Sequence, residues 1–201
     1  MDALVIGKPN VGKSLFVLNF ASYLGLREIR LDVMSSDDRV SVRRVSLEDA
    51  KRKLVSHTAH KTLLPRRVDL VLPNGKNPKH LSIIDTVGIS EGIHHVADVR
   101  QAMASTLARI SSADMVLHLV DVSRLGHKSI EAPGPVDEEI ARYAKLLGPY
   151  AILANKVDKP GAADGVHQLR EQFRGIPVIP ISALTRRGFR EVKALIFRYM
   201  G

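Results

Sequence analysis

The eight residues Gly7-Lys8-Pro9-Asn10-Val11-Gly12-Lys13-Ser14 constrain this chain more than any other feature. They stand between an apolar run, Leu4 to Ile6, that predicts a strand, and a helical pattern from Lys13 to about Leu24 that ends near Gly25. Glycines at both ends let the backbone curl until successive N–H groups point inward, and the positive end of the following helix adds to them. Such a cradle suits phosphate oxygens, and the pattern matches a phosphate-binding loop in full. In that setting Lys13 is expected to bridge β- and γ-phosphates and Ser14 to ligate Mg²⁺.

Strand and helix patterns alternate along the rest of the chain, as in a parallel sheet covered on both faces by helices. Further strands are expected at Val68 to Leu72, His80 to Ile84, Met115 to Val120, Tyr150 to Ala154 and Val178 to Ile181. The first two of these flank Pro73-Asn74-Gly75-Lys76 and read as an antiparallel hairpin. Helices are expected at 97–110, 136–147, 166–173 and 188–200. The segment from Leu26 to Lys61 is too long for a plain connection. Within it, Leu31 to Met34 and Val40 to Val45 look like strands, and Ser46-Leu47-Glu48-Asp49 looks like a helix start with a capping serine.

Length and composition narrow the function classes. A chain of 201 residues with 45% hydrophobic and 25% charged residues is expected to form one domain with a proper core. Zero cysteines exclude a disulfide framework and a thiol nucleophile, and a reducing cytoplasm fits. The apolar runs are strand-sized, so no transmembrane helix is expected, and the acidic start Met1-Asp2 is unlike a signal peptide. Thirty Lys and Arg against 21 Asp and Glu give a net charge of +9, which favours a polyanionic partner. Eleven of those cations against six acids fall between Leu26 and Arg67.

Three further motifs sit at strand ends, where open α/β sheets bind ligands. Asp85-Thr86-Val87-Gly88 puts a carboxylate where it would hold Mg²⁺ through water, with the Gly88 N–H at the γ-phosphate. Asn155-Lys156-Val157-Asp158 bears on the base. The Asp158 carboxylate can accept two hydrogen bonds from guanine N1–H and its 2-amino group, a donor pair that adenine lacks. Lys156 can pack its stem along the nucleotide, Asn155 can tie this loop to the phosphate loop, and Ser182-Ala183-Leu184 can offer backbone N–H to guanine O6.

Taken in this order, the motifs make the chain resemble a small GTPase of the translation-factor-related class, nearest the Era and TrmE group, over nearly its whole length. The resemblance implies a three-layer P-loop NTPase fold with a six-stranded, mostly parallel sheet, one antiparallel edge strand and helices on both faces. It implies a single GTPase domain over 1–201 carrying an atypical basic insertion at about 26–61. The implied activity is Mg²⁺-dependent hydrolysis of GTP to GDP with two switch segments. The implied nucleotide set is Gly7, Asn10, Val11, Gly12, Lys13, Ser14, Leu15, Asn155, Lys156, Asp158, Ser182, Ala183 and Leu184. Ser14, Thr62 and Asp85 form the implied Mg²⁺ set, and Lys13, Asn10, Thr62 and Gly88 the implied catalytic set, with Asn10 helping to hold a potassium ion.

Departures from the family pattern shape the remaining expectations. The first-switch threonine has two candidates, Thr62, which is preferred, and Thr58. Ile89 follows Gly88 and cannot orient water as a glutamine would, so intrinsic turnover is expected to be slow. Glu91, His94 and His95 are candidates to position water, weighed against plain solvated loop residues. No appended RNA-binding domain is expected after Gly201, which leaves RNA or a ribosomal particle to the basic segment with Arg43, Arg44, Lys51, Arg52, Lys53, Arg66 and Arg67. A solvated face is the plain alternative for that segment. With five Phe, four Tyr and no Trp, backbone phosphates are a better target than stacked bases, and no DNA specificity is evident. A nucleotide-dependent dimer is left open. The competing function is a slow GTPase module that regulates a protein or membrane-transporter partner.

Overall fold

A computed structural model describes residues 1–34, 40–55, 67–72, 79–85, 107–125 and 133–200. Eight strands lie in it: β1 (Asp2–Ile6), β2 (Glu28–Met34), β3 (Val40–Ser46), β4 (Arg67–Leu72), β5 (Lys79–Asp85), β6 (Met115–Asp121), β7 (Tyr150–Asn155) and β8 (Val178–Pro180). The helices are α1 (Lys13–Tyr23), α2 (Leu47–Val55), α3 (107–112), α4 (Pro135–Leu147), α5 (Ala162–Gln172) and α6 (Phe189–Tyr199). Six strands form one sheet in the order β4-β5-β1-β6-β7-β8. Only the edge pair β4 and β5 is antiparallel among the pairings of that sheet, as the hairpin motif implied.

Alternation along β1 divides the core. Ala3 and Val5 face a cluster with Phe16 and Phe20 of α1, Leu47 and Ala50 of α2, and Phe189 and Val192 of α6. Leu4 and Ile6 face the opposite cluster with Ile110 of α3, Ile140 and Ala144 of α4, and Val166 and Leu169 of α5. One strand thus seats both helical layers, because successive side chains point to opposite faces. Strand β6 is buried along its whole length, as a central parallel strand must be.

The expected insertion has structure of its own. Strands β2 and β3 pair antiparallel as a separate two-stranded sheet. Ser46 then starts α2: its Oγ accepts the Asp49 N–H at 3.0 Å and donates to the Asp49 carboxylate at 2.7 Å. Helix α5 starts four residues before the expected 166. Its first turn, Ala162-Ala163-Asp164-Gly165, lacks large apolar residues and so escapes a periodicity reading, while Gly161 at φ 73° breaks the chain ahead of it. The stretch expected to be helical at 97–110 is described only from 107, where it continues to 112.

Phe189 is fully buried and meets Phe16, Phe20 and Tyr23 edge to face, with ring centroids 5.5, 5.4 and 5.7 Å away. Phe189→Ala is expected to cost about 3–5 kcal/mol of unfolding free energy, read from urea denaturation.

Candidate nucleotide site

The carboxyl ends of β1, β5, β7 and the chain just past β8 bring the expected motifs to one edge of the sheet. Gly12 opens α1 at φ 100°, and a Cβ there would lie 2.5 Å from Asn155 Nδ2, so a side chain is excluded on both counts. Lys13 is buried, and its Nζ donates to the carbonyls of Gly7 at 3.0 Å and Lys8 at 2.8 Å. Burial lowers the Lys13 ammonium from its ordinary range, and the charge of Asp85 offsets this in part. Ser14 Oγ donates to Asp85 Oδ2 at 2.7 Å. A hydroxyl and a carboxylate oxygen side by side are the hard donors that Mg²⁺ takes.

The other end of the site is tied to this loop through Asn155, which is buried at the end of β7. Its Nδ2 donates to the Val11 carbonyl at 2.7 Å, and its Oδ1 accepts the Ala183 N–H at 2.8 Å. Asp158 accepts from Ser182 Oγ at 2.6 Å, and that hydroxyl also accepts the Thr185 N–H at 3.0 Å. Leu184 is largely exposed, while Leu15 packs against the core.

Two partners escaped the sequence reading. Lys156 Nζ donates to Asp121 Oδ2 at 2.5 Å, and Asn19 Nδ2 donates to the Ala183 carbonyl at 2.7 Å. The signal for Asp121 was its place at the end of β6, beside the expected site, whereas Asn19 lies on a helix whose spacing reads as core. Among the described residues, those of non-glycine type with positive φ are Asn10 (62°), Lys156 (71°) and Arg186 (67°). There is one in each of the three loops, and held strain of order 1 kcal/mol per residue tends to gather at binding sites.

Gly88, Thr58, Thr62, Thr86, Val87, Ile89, Glu91, His94 and His95 lie outside the described residues, as do Lys61 and Arg66. The described cations of the basic segment differ among themselves. Arg67 is held by Asp2, Asp69 and Ser82, and Arg52 pairs with Asp49 at 3.2 Å. Partial burial, then the charge of Arg186, lowers the Lys51 ammonium, with Glu48 opposing. Arg44 is exposed beside a groove of about 530 Å³ between the β2–β3 hairpin and the β4–β5 edge.

Residues 42–156 match the model of a family described as 50S ribosome-binding GTPase. The chain belongs to that family. The phosphate loop lies ahead of the matched span, and it falls within the 97% of this chain that aligns with GTPase Obg of Alkaliphilus oremlandii at 28% identity. GTPase Obg of Ruminiclostridium cellulolyticum is 26% identical over 196 residues, which are 95% of this chain and 38% of that protein. The chain therefore spans under two-fifths of that relative. By fold, Era of Aquifex aeolicus bound to GDP·AlF4⁻ superposes with a TM-score of 0.62 at 18% identity, covering 100% of this chain and 56% of that one. Era with MgGDPNP and nucleotides 1506–1542 of 16S ribosomal RNA gives 0.61 at 24%, again over 100% and 56%. The likeness to Era is one of fold, and this family member shares its six-stranded mixed sheet with helices on both faces.

Among the described residues no helix is long and apolar enough to cross a membrane, and no group of three or more His, Cys, Asp or Glu could hold a metal. Asn155→Ala leaves the Val11 carbonyl and the Ala183 N–H without their side-chain partner. It is expected to cost about 2–4 kcal/mol of unfolding free energy, read as a lowered urea midpoint at unchanged m-value.

Proposed function

We propose that the chain binds GTP with Mg²⁺ along this edge of the sheet, hydrolyses it to GDP and phosphate, and acts as a molecular switch on RNA or a ribosomal particle. The observation that carries the reading is the Asn155 amide, which joins the loop suited to phosphates to the loop of Ala183, itself bonded through Ser182 to Asp158. A nucleotide contacts both at once, so one side chain sets the spacing between its two ends. Six strands with a core cluster on each face support a single GTPase domain over 1–201, with the insertion at 26–61 added to it.

In this reading the N–H groups of Asn10 to Ser14 cradle the phosphates with Gly7 at the turn, and Leu15 seats the first turn of α1. Lys13 exchanges the two carbonyls for β- and γ-phosphate oxygens, recovering a charge-assisted contact for neutral ones. Ser14 and Asp85, with Thr62 from the first switch, would hold Mg²⁺, which supplies positive charge at the phosphate oxygens during transfer. Asp158 accepts from the guanine N1–H and 2-amino group, and Lys156, fixed by Asp121, lies along the base. The Ala183 N–H that the sequence offered to O6 is held by Asn155, which leaves the Leu184 N–H for O6 and gives Ala183 the role of spacing the loop. Water attacks the γ-phosphorus, the bond to the β-phosphate oxygen breaks, and Gly88 meets the γ-phosphate. A potassium ion at Asn10 would add charge in place of an arginine.

The RNA-linked role rests on the family's description, on the Era complex with ribosomal RNA and on the basic segment. Lys51 beside Arg186 sets cations of the insertion next to the loop suited to guanine. Turnover is expected to rise in potassium over sodium, and to rise further with ribosomal particles in a way that fades with salt. Turnover indifferent to both would favour a regulator of a protein partner instead.

Asp158→Asn exchanges one acceptor for a donor. GTP affinity is expected to fall by roughly 10²-fold or more while xanthosine triphosphate gains, measured by competition titration. Unchanged preference between the two would contradict the assignment of Asp158.

A further inference from the structure

Lys8, the second residue of the phosphate loop, has its side chain turned away from the nucleotide motifs. Its Nζ lies 3.3 Å from Asp137 Oδ2, with the two side chains 15% and 4% exposed. Asp137 stands in the first turn of α4, and its Oδ2 also accepts the Gly134 N–H at 2.9 Å, closing the helix start behind Pro135. The other carboxylate oxygen lies 3.1 Å from Nε2 of His118, fully buried in β6, and His118 Nδ1 lies 2.7 Å from the Tyr150 hydroxyl. An ionised Asp137 can only accept, so Nε2–H donates to one of its oxygens while Lys8 and Gly134 donate to the other, and with the proton on Nε2 the Nδ1 atom is placed to accept the Tyr150 O–H.

Each link fixes the next. Burial by itself would raise the Asp137 carboxyl, yet His118, Lys8 and the Gly134 N–H together hold it below the usual carboxylate range. Burial, with the charge of Asp137 added, pushes the Tyr150 hydroxyl upward, so it stays protonated and able to donate. Buried charge is costly unless it is paired and hydrogen-bonded, and here the network ends on a loop lysine. The peptide of that lysine matters most: the Lys8 carbonyl, with that of Gly7, carries the Lys13 ammonium.

We propose that the Lys8–Asp137 ion pair is a positioning device for phosphate binding, anchoring the first turn of the loop on β6 and α4 and so fixing the seat from which Lys13 reaches the phosphates. This rests on the nucleotide reading above. The pair lies on the phosphate-loop side and involves none of the residues assigned to the base, so it acts on the affinity for any nucleotide phosphate. It leaves the choice of base unaltered.

The test titrates Mg·GTP, Mg·GDP and Mg·ADP against the full chain and against Lys8→Met, Asp137→Asn, the double variant and Lys8→Arg. Either single variant is expected to weaken GTP and GDP by about tenfold, and the double variant by no more than the worse single one. Lys8→Arg is expected to regain most of the loss, with the GDP-to-ADP ratio changed by less than about threefold in every variant. Thermal melts of the nucleotide-free proteins check folding. Lys8→Met carries the test alone if Asp137→Asn does not fold, because it leaves Asp137 its His118 and Gly134 partners. Unchanged affinity in Lys8→Met, additive losses in the double variant, or no rescue by arginine overturns the proposal. A wild-type chain that binds no guanine nucleotide overturns the functional reading itself, a result distinct from any of these.

Discussion

A single side-chain amide holds the two ends of the site in register. Asn155 reaches the phosphate loop through Val11 and the following loop through Ala183, and both bonds are short and buried. An amide is suited to this because it carries a donor and an acceptor on one rigid group, where a carboxylate or an ammonium carries only one kind. The approach is so close that position 12 has no room for a Cβ. Asn19 adds a second tie by donating to the Ala183 carbonyl, so this residue is gripped at both its backbone polar atoms by side chains from β7 and α1.

The strain in the loops is affordable only against a rigid base. Asn10, Lys156 and Arg186 all hold left-handed backbone, and each follows closely on a strand of the main sheet. Two of those strands, β1 and β7, are locked by cores on both faces, with Leu4, Ile6 and Ile152 on one side and Ala3, Val5 and Leu153 on the other. Chemistry at strand ends is thereby separated from stability between the layers, and the loops can keep conformations that their own residues disfavour. The His118–Asp137–Lys8 network runs inside one of these layers and reaches the phosphate loop from below.

Much of this was legible in the chain itself, for identifiable reasons. Glycine at positions 7 and 12, Lys13 and Ser14 fall on one short stretch, so their spacing is visible without a fold. The hairpin order of β4 and β5 followed from Pro73-Asn74-Gly75, and the start of α2 from Ser46 and Asp49. Contacts between distant residues were not legible. Lys156 with Asp121 spans 35 positions, Asn19 with Ala183 spans 164, and neither Asp121 nor Asn19 stands in a motif. Lys8 and Asp137 look like ordinary surface residues until the sheet brings β1, β6 and α4 together. The start of α5 was missed because small residues carry little periodic signal.

The central claim is that this edge of the sheet takes a guanine nucleotide by its base and its phosphates together. Equilibrium titration of the chain with Mg·GTP and Mg·ATP in one buffer tests it most directly. The account predicts saturable GTP binding with ATP weaker by roughly 10³-fold or more, since adenine cannot supply the donor pair for which Asp158 is proposed as the acceptor. Equal affinity for the two nucleotides, or no binding of either, would contradict it.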